Sequence, residues 1–133
     1  IENLNRFQEI PTSGPMCDLV WSDPTPKNGF EPSMRDAGYQ FGPDITKAWN
    51  EANGLKFTAR AHQMVMDGLE FQHNKQLVTI FSAPDYCLRC KNAAGILELD
   101  EKLRKKAIRF FTPRKYEEEN QEIPDYFSID LSD

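Results

Sequence analysis

The sequence predicts a mixed α/β body, on three observations. Residues 44–53 place Ile45, Ala48, Trp49 and Ala52 on one face at helical spacing. Leu55, Phe57, Ala59 and Ala61 alternate with polar residues, the period-two pattern of a strand with one buried face. Two pairs of short β-prone runs, 69–71 with 76–81 and 94–99 with 107–111, are each separated by turn-forming residues and predict two hairpins.

Taken in order, Ile1, Leu4 and Phe7 fall at i, i+3 and i+6, as in the last turns of an amphipathic helix closed by Pro11. Residues 16–21 form a short segment expected to be buried. Pro24, Pro26, Gly29 and Pro32 then punctuate a surface loop toward Arg35. Asp44 is placed to cap the helix, and Gly54 suits a left-handed residue just past its end. On the following strand Arg60 and His62 share a face, with His62 at the end. The first hairpin turns at His73-Asn74, where His73 is expected to be solvated, and the second at Asp100-Glu101.

At 133 residues one domain is expected. The chain opens with Ile1 rather than Met, which fits a processed chain or a piece of a longer one. No apolar run approaches the ~20 residues of a membrane span, and no stretch resembles a secretory leader. Three cysteines, an odd count, argue against a disulfide framework and for a reducing compartment, cytoplasmic or nuclear. The net charge of −5 is concentrated in residues 112–133, which hold seven acids against Arg114 and Lys115. The other 111 residues are balanced, fourteen acids to fourteen bases, so nucleic acid is excluded as a main partner. The tail is poor in core-forming residues and is expected to be flexible when unbound.

Four motifs stand in a fixed order: GPMCDLVWSDP (14–24), RDAGYQFG (35–42), ARAHQMVMDG (59–68) and QLVTIFSAPDYC (76–87). Together they resemble the metallophosphoesterase-type protein serine/threonine phosphatases, the type 2A catalytic subunits most closely, over residues 1–111. The resemblance implies the C-terminal portion of an α/β/β/α sandwich, with residues 112–133 as a partner-docking tail. It implies hydrolysis of phosphoserine and phosphothreonine by water activated at two metal ions, manganese or an iron/zinc pair. The upstream segments that carry most ligands in that family lie outside this sequence, so the segment alone is expected to be inactive.

Residue by residue, the resemblance makes His62 a metal ligand, although a lone histidine read without it is an ordinary packed or surface residue. Arg35 becomes the phosphate clamp, its planar fork suited to two parallel hydrogen bonds to a tetrahedral anion. Tyr86 becomes the active-site tyrosine, and Arg89 and Cys90 frame the substrate and inhibitor groove. Tyr126 and Phe127 fall in the tail that docks helical-repeat scaffold and regulatory subunits. Several residues depart from the family pattern: Asp36 replaces a glycine beside Arg35, Asp85 an asparagine, Leu88 a tyrosine and Lys91 a glycine. Ser128 stands where a terminal leucine is usual.

Two other readings stay open on the residues. One is a non-catalytic, phosphatase-derived module that binds scaffold or regulatory subunits. The other is a zinc-stabilised module drawing on Cys17, Cys87 and Cys90, which needs a fourth ligand and a fold that brings distant positions together.

Overall fold

In the computed structural model, which describes residues 2–112, the described residues form two units: 2–64 with 70–80, and 65–69 with 81–112. The first holds helix α1 (Pro15–Trp21), strands β1 (Asp23–Pro24), β2 (Phe30–Pro32) and β3 (Tyr39–Phe41), helix α2 (Pro43–Ala52), and strands β4 (Thr58–Arg60), β5 (Leu69–Gln72, all but its first residue) and β6 (Leu77–Ile80). One sheet has the order β1-β3-β2, with β1 parallel and β2 antiparallel to β3. The other has the order β4-β6-β5, with β4 parallel to β6. Central strand β6 carries the core: Leu77, Val78 and Thr79 are fully buried, as befits a largely β-branched run flanked by strands on both sides.

Helix α2 begins with Gly42 as its N-cap and Pro43 in its first turn, where a missing N–H costs nothing. Asp44 does not cap it. Its Oδ1 instead accepts from Gly29 N at 3.0 Å, tying the helix to the β2 approach. The buried stripe is Thr46 and Asn50, whereas Ala48 and Ala52 are exposed, because hydrogen bonds set the rotation of the helix. Asn50 Oδ1 accepts from Thr58 Oγ1 at 2.7 Å, and its Nδ2 donates to Gln76 O at 3.0 Å. A buried carboxamide must be paired, and this rotation pairs it. Gly54 has φ 63°, as expected.

Other expectations change for local reasons. Residues 2–10 form turns, not a helix, and Phe7 is 99% exposed. Asn5 Oδ1 accepts from Phe7 N at 3.1 Å, a local bond that competes with helical pairing. Residues 15–21, expected only as a buried segment, are helical with Cys17 buried. The proline-punctuated loop contains β1 and β2, which lie on the two edges of their sheet, where strand prolines are tolerated. On β4 the alternation is inverted: Ala59 and Ala61 are exposed and Thr58 and Arg60 half-buried. Two alanine methyls bury little area, and pairing of Thr58 and Arg60 decides the register.

His73 is not solvated. Its Nε2 lies 2.8 Å from Thr25 O, so it must carry the proton and donate, and Nδ1 lies 2.7 Å from Thr46 Oγ1. Phe41 meets its ring edge-on with centroids 6.1 Å apart. His73 thus pins the turn between β5 and β6 to α2 and to the segment after β1.

The second unit contains β7 (Ala94–Leu99) antiparallel to β8 (Lys105–Phe110), paired from Ala94↔Phe110 to Leu99↔Lys105. This hairpin stands where the sequence places it. Val65, Leu69, Ala93 and Ala94 are buried, and Ala93 N donates to Met66 O at 2.8 Å.

Candidate functional site

Asp23 sits where α1 gives way to β1 and is 6% exposed. Strand pairing of Asp23 with Gln40 fixes its backbone. Each carboxylate oxygen meets a different arginine: Arg35 Nε donates to Oδ2 at 2.6 Å and Arg60 Nη2 to Oδ1 at 2.7 Å. Arg60 also donates from Nη2 to Ser22 O at 3.1 Å and from Nη1 to Gln63 Oε1 at 2.8 Å. Burial pulls the Arg60 guanidinium below its ordinary pKa, opposed by the hydrogen bond and charge of Asp23, while the like charge of Arg35 lowers it further. A buried carboxylate between two guanidinium groups satisfies the rule that buried charge must be paired.

Arg35 reaches Asp23 because of the turn that carries it. Ser33 N donates to Gly38 O at 3.1 Å, and Arg35 N donates to Ser33 Oγ at 3.1 Å. Gly38 has φ 67°, and a β-carbon on it would stand 2.8 Å from Ser22 N and from Trp21 C. Only glycine lets this turn lie against the Trp21-Ser22 backbone. Asp36 adopts φ 59°, left-handed backbone that glycine favours and aspartate tolerates. Arg35 pairs with Asp23, its side chain is 38% exposed, and its two Nη groups make no hydrogen bond to any described residue.

His62 lies two residues past β4, exposed, at φ 79°. Trp21 packs edge-on against it with centroids 5.0 Å apart. The first unit therefore joins Trp21 to His62, and Asp23 to both Arg35 and Arg60. A two-metal centre needs several ligands around each ion. Among the described residues no group of three or more His, Cys, Asp or Glu converges to hold a metal. Residues 2–112 by themselves do not fit such a centre, and His62 is a single candidate ligand. The same finding leaves the three cysteines without a zinc cluster among the described residues.

Tyr86, Arg89 and Cys90 belong to the second unit, on a loop that Asn92 builds. Asn92 is 1% exposed. Its Oδ1 accepts from Tyr86 N at 2.8 Å, and its Nδ2 donates to Ala83 O and Ala93 O at 2.8 and 2.9 Å. Asp85 Oδ1 accepts from Lys91 N at 2.9 Å, an acceptor role that asparagine fills equally. Tyr86 packs edge-on against Phe81, centroids 5.1 Å apart, and remains 47% exposed. Arg89 and Cys87 are exposed and Cys90 half-buried, with all three cysteines free thiols. Tyr126 and Phe127 lie outside the described residues.

No family model matches the chain. Among solved structures it is similar to a protein serine/threonine phosphatase from Saccharomyces cerevisiae, itself described as similar to human phosphatase PP5, with a TM-score of 0.76 and 31% sequence identity over 84% of this chain. Its fold is that of a protein serine/threonine phosphatase. The chain covers 38% of that phosphatase, so it presents part of the phosphatase fold. Sequence reasoning singled out Arg35 and His62 but missed Asp23, the residue that joins both arginines. The available signal was an acid two residues after the apolar stretch Leu19-Val20-Trp21, where a carboxylate near the interior requires a cation.

Proposed function

We propose that this chain is the C-terminal portion of a type 2A-like protein serine/threonine phosphatase that acts on phosphoserine and phosphothreonine in proteins. The observation that carries this reading is Arg35, anchored through Nε with both Nη groups left to meet a tetrahedral anion, on a phosphatase fold. A guanidinium held this way donates two parallel hydrogen bonds to phosphate oxygens without first reorganising. On the second unit, the proposed role of Tyr86 is that of a hydroxyl donor to phosphate, and that of Arg89 and Cys90 is to border a substrate groove. Among the described residues His62 is the one proposed metal ligand, with the others drawn from beyond residues 2–112. Residues 112–133, with Tyr126 and Phe127, dock scaffold and regulatory subunits.

The test is a titration of the 133-residue chain with a phosphoserine peptide. Arg35→Lys is expected to weaken binding by about 1.5–3 kcal/mol, the range for hydrogen bonds to charged groups, because an ammonium cannot reproduce the fork. Equal affinity of the two proteins overturns the reading. A second reading, a non-catalytic interaction module, is favoured by the apolar groove of about 460 Å³ lined by Leu19, Phe30, Phe41, Ile45, Trp49 and Leu77. It requires that the parent assembly keep full turnover with Arg35→Lys.

A further inference from the structure

Three features set Arg60 apart from Arg35. Arg60 is the more buried of the two, its side chain 13% exposed against 38%. Both of its Nη groups are engaged, with Asp23, Ser22 and Gln63. It lies on β4, whose backbone is locked to β6 through Arg60↔Thr79. A buried cation with both Nη groups engaged by the protein is a strut, without the free Nη pair that Arg35 offers a ligand. Arg35 has the opposite character: an exposed side chain on a turn, held at Nε alone. The element between them is Asp23, whose carboxylate is divided, one oxygen to each arginine.

We propose that Asp23 is the positioning residue that aims the Arg35 guanidinium, with Arg60 as the strut that holds Asp23 in place. An unanchored arginine samples many rotamers and must surrender that freedom when a ligand binds. Gripping Nε fixes the plane of the guanidinium and leaves the edge formed by the two Nη groups available. That edge is the one that meets an oxyanion with parallel hydrogen bonds. Taken as bulk charge, Asp23 has the wrong sign for an anion site and should weaken it. As a positioning group it strengthens it, so the two roles predict opposite signs. That the anion is a phosphate rests on the proposed function; the Asp23–Arg35 clamp does not.

The experiment uses the 133-residue chain with its arginines labelled with nitrogen-15, followed by NMR. In the wild type, the Arg35 Nε–H proton is expected to exchange with solvent at least about tenfold more slowly than that of exposed Arg89, as hydrogen-bonded protons do. Asp23→Asn keeps the volume, but its carboxamide accepts from one guanidinium and turns an N–H₂ group on the other. It is expected to remove the Arg35 protection and to weaken inorganic phosphate binding about tenfold. Arg60→Lys, which keeps the charge and loses the fork, is expected to shift both readouts in the same direction by less. Arg35 exchanging as fast as Arg89 in the wild type overturns the proposal without any variant. So does phosphate binding to Asp23→Asn that equals or exceeds the wild type. If Arg35 is protected by Asp23 but the wild type binds no phosphate, the clamp stands and the phosphate reading of Arg35 falls.

Discussion

Gly38 shows how a single residue governs the site. Gly38→Ala forces a β-carbon into the Trp21-Ser22 backbone, with approaches of 2.8 Å, at a positive φ that alone costs about 1–2 kcal/mol. The expected destabilisation is at least about 2 kcal/mol in urea unfolding, with loss of the Arg35–Asp23 contact; an unchanged unfolding midpoint contradicts it. Replacing His73 tests a different kind of bond. His73→Ala removes two hydrogen bonds and leaves the hydroxyl of Thr46, a residue 2% exposed, without its partner. The expected loss is about 1–3 kcal/mol, and a variant within 0.5 kcal/mol of the wild type would show the pin to be idle. Neither residue advertises its role locally, because both act across gaps in sequence: Gly38 on Trp21 and Ser22, His73 on Thr25 and Thr46. The Asp23–Arg60 pair spans 37 residues and was hidden for the same reason. The motifs singled out Arg35 and His62, but not the residues that they meet in the fold, Asp23 and Trp21.

Elements that close on themselves were readable, and those that need a distant partner were not. The β7–β8 hairpin follows from two apolar runs around an acidic turn. Helix α2 follows from its periodicity, although Asn50 rotates its buried face away from Ala48 and Ala52. Helix α1 is too short, at seven residues, for periodicity to mark it, and β1 and β2 hide among prolines because each is an edge strand paired only to β3. On β4, alternation pointed to Ala59 and Ala61, yet the polar residues that find partners turn inward. The β7–β8 turn allows a pH test. Asp100 accepts from the backbone N–H groups of Lys102 and Arg104, at 2.9 and 2.8 Å, and from Arg104 Nε. These bonds, led by those from Arg104, hold its carboxyl below the ordinary 3.8. A folded-state pKa lowered in this way means the stabilisation is fully present above pH 3.8 and is lost as pH falls through the lower, folded value. The Lys102 and Arg104 amide resonances are expected to move in that acidic window and stay constant from pH 5 to 8. Movement centred above pH 4 would contradict the assignment.

For the molecule as a whole, the apolar surface and the count of ligands lead to one expectation. Among the described residues Phe7, Met34 and Phe111 are 99%, 93% and 67% exposed, and the 460 Å³ groove in the first unit is lined by Phe30, Phe41, Ile45 and Trp49. The groove is the contiguous part of this apolar surface and is the place open to a hydrophobic probe. Catalysis faces a separate obstacle. Phosphate-ester hydrolysis at two metals needs ligands on both sides of the pair, and the described residues bring no three together. The 133-residue chain with manganese is therefore expected to bind an environment-sensitive hydrophobic dye and to hydrolyse a phosphoserine peptide no faster than manganese alone. Arg35→Lys should leave this baseline unchanged while still weakening peptide binding, which separates the ability to hold phosphate from the ability to cleave it. Turnover above the manganese blank that Arg35→Lys abolishes would mean that residues 1–133 complete a catalytic centre by themselves, and the account of His62 as a lone ligand would have to be abandoned.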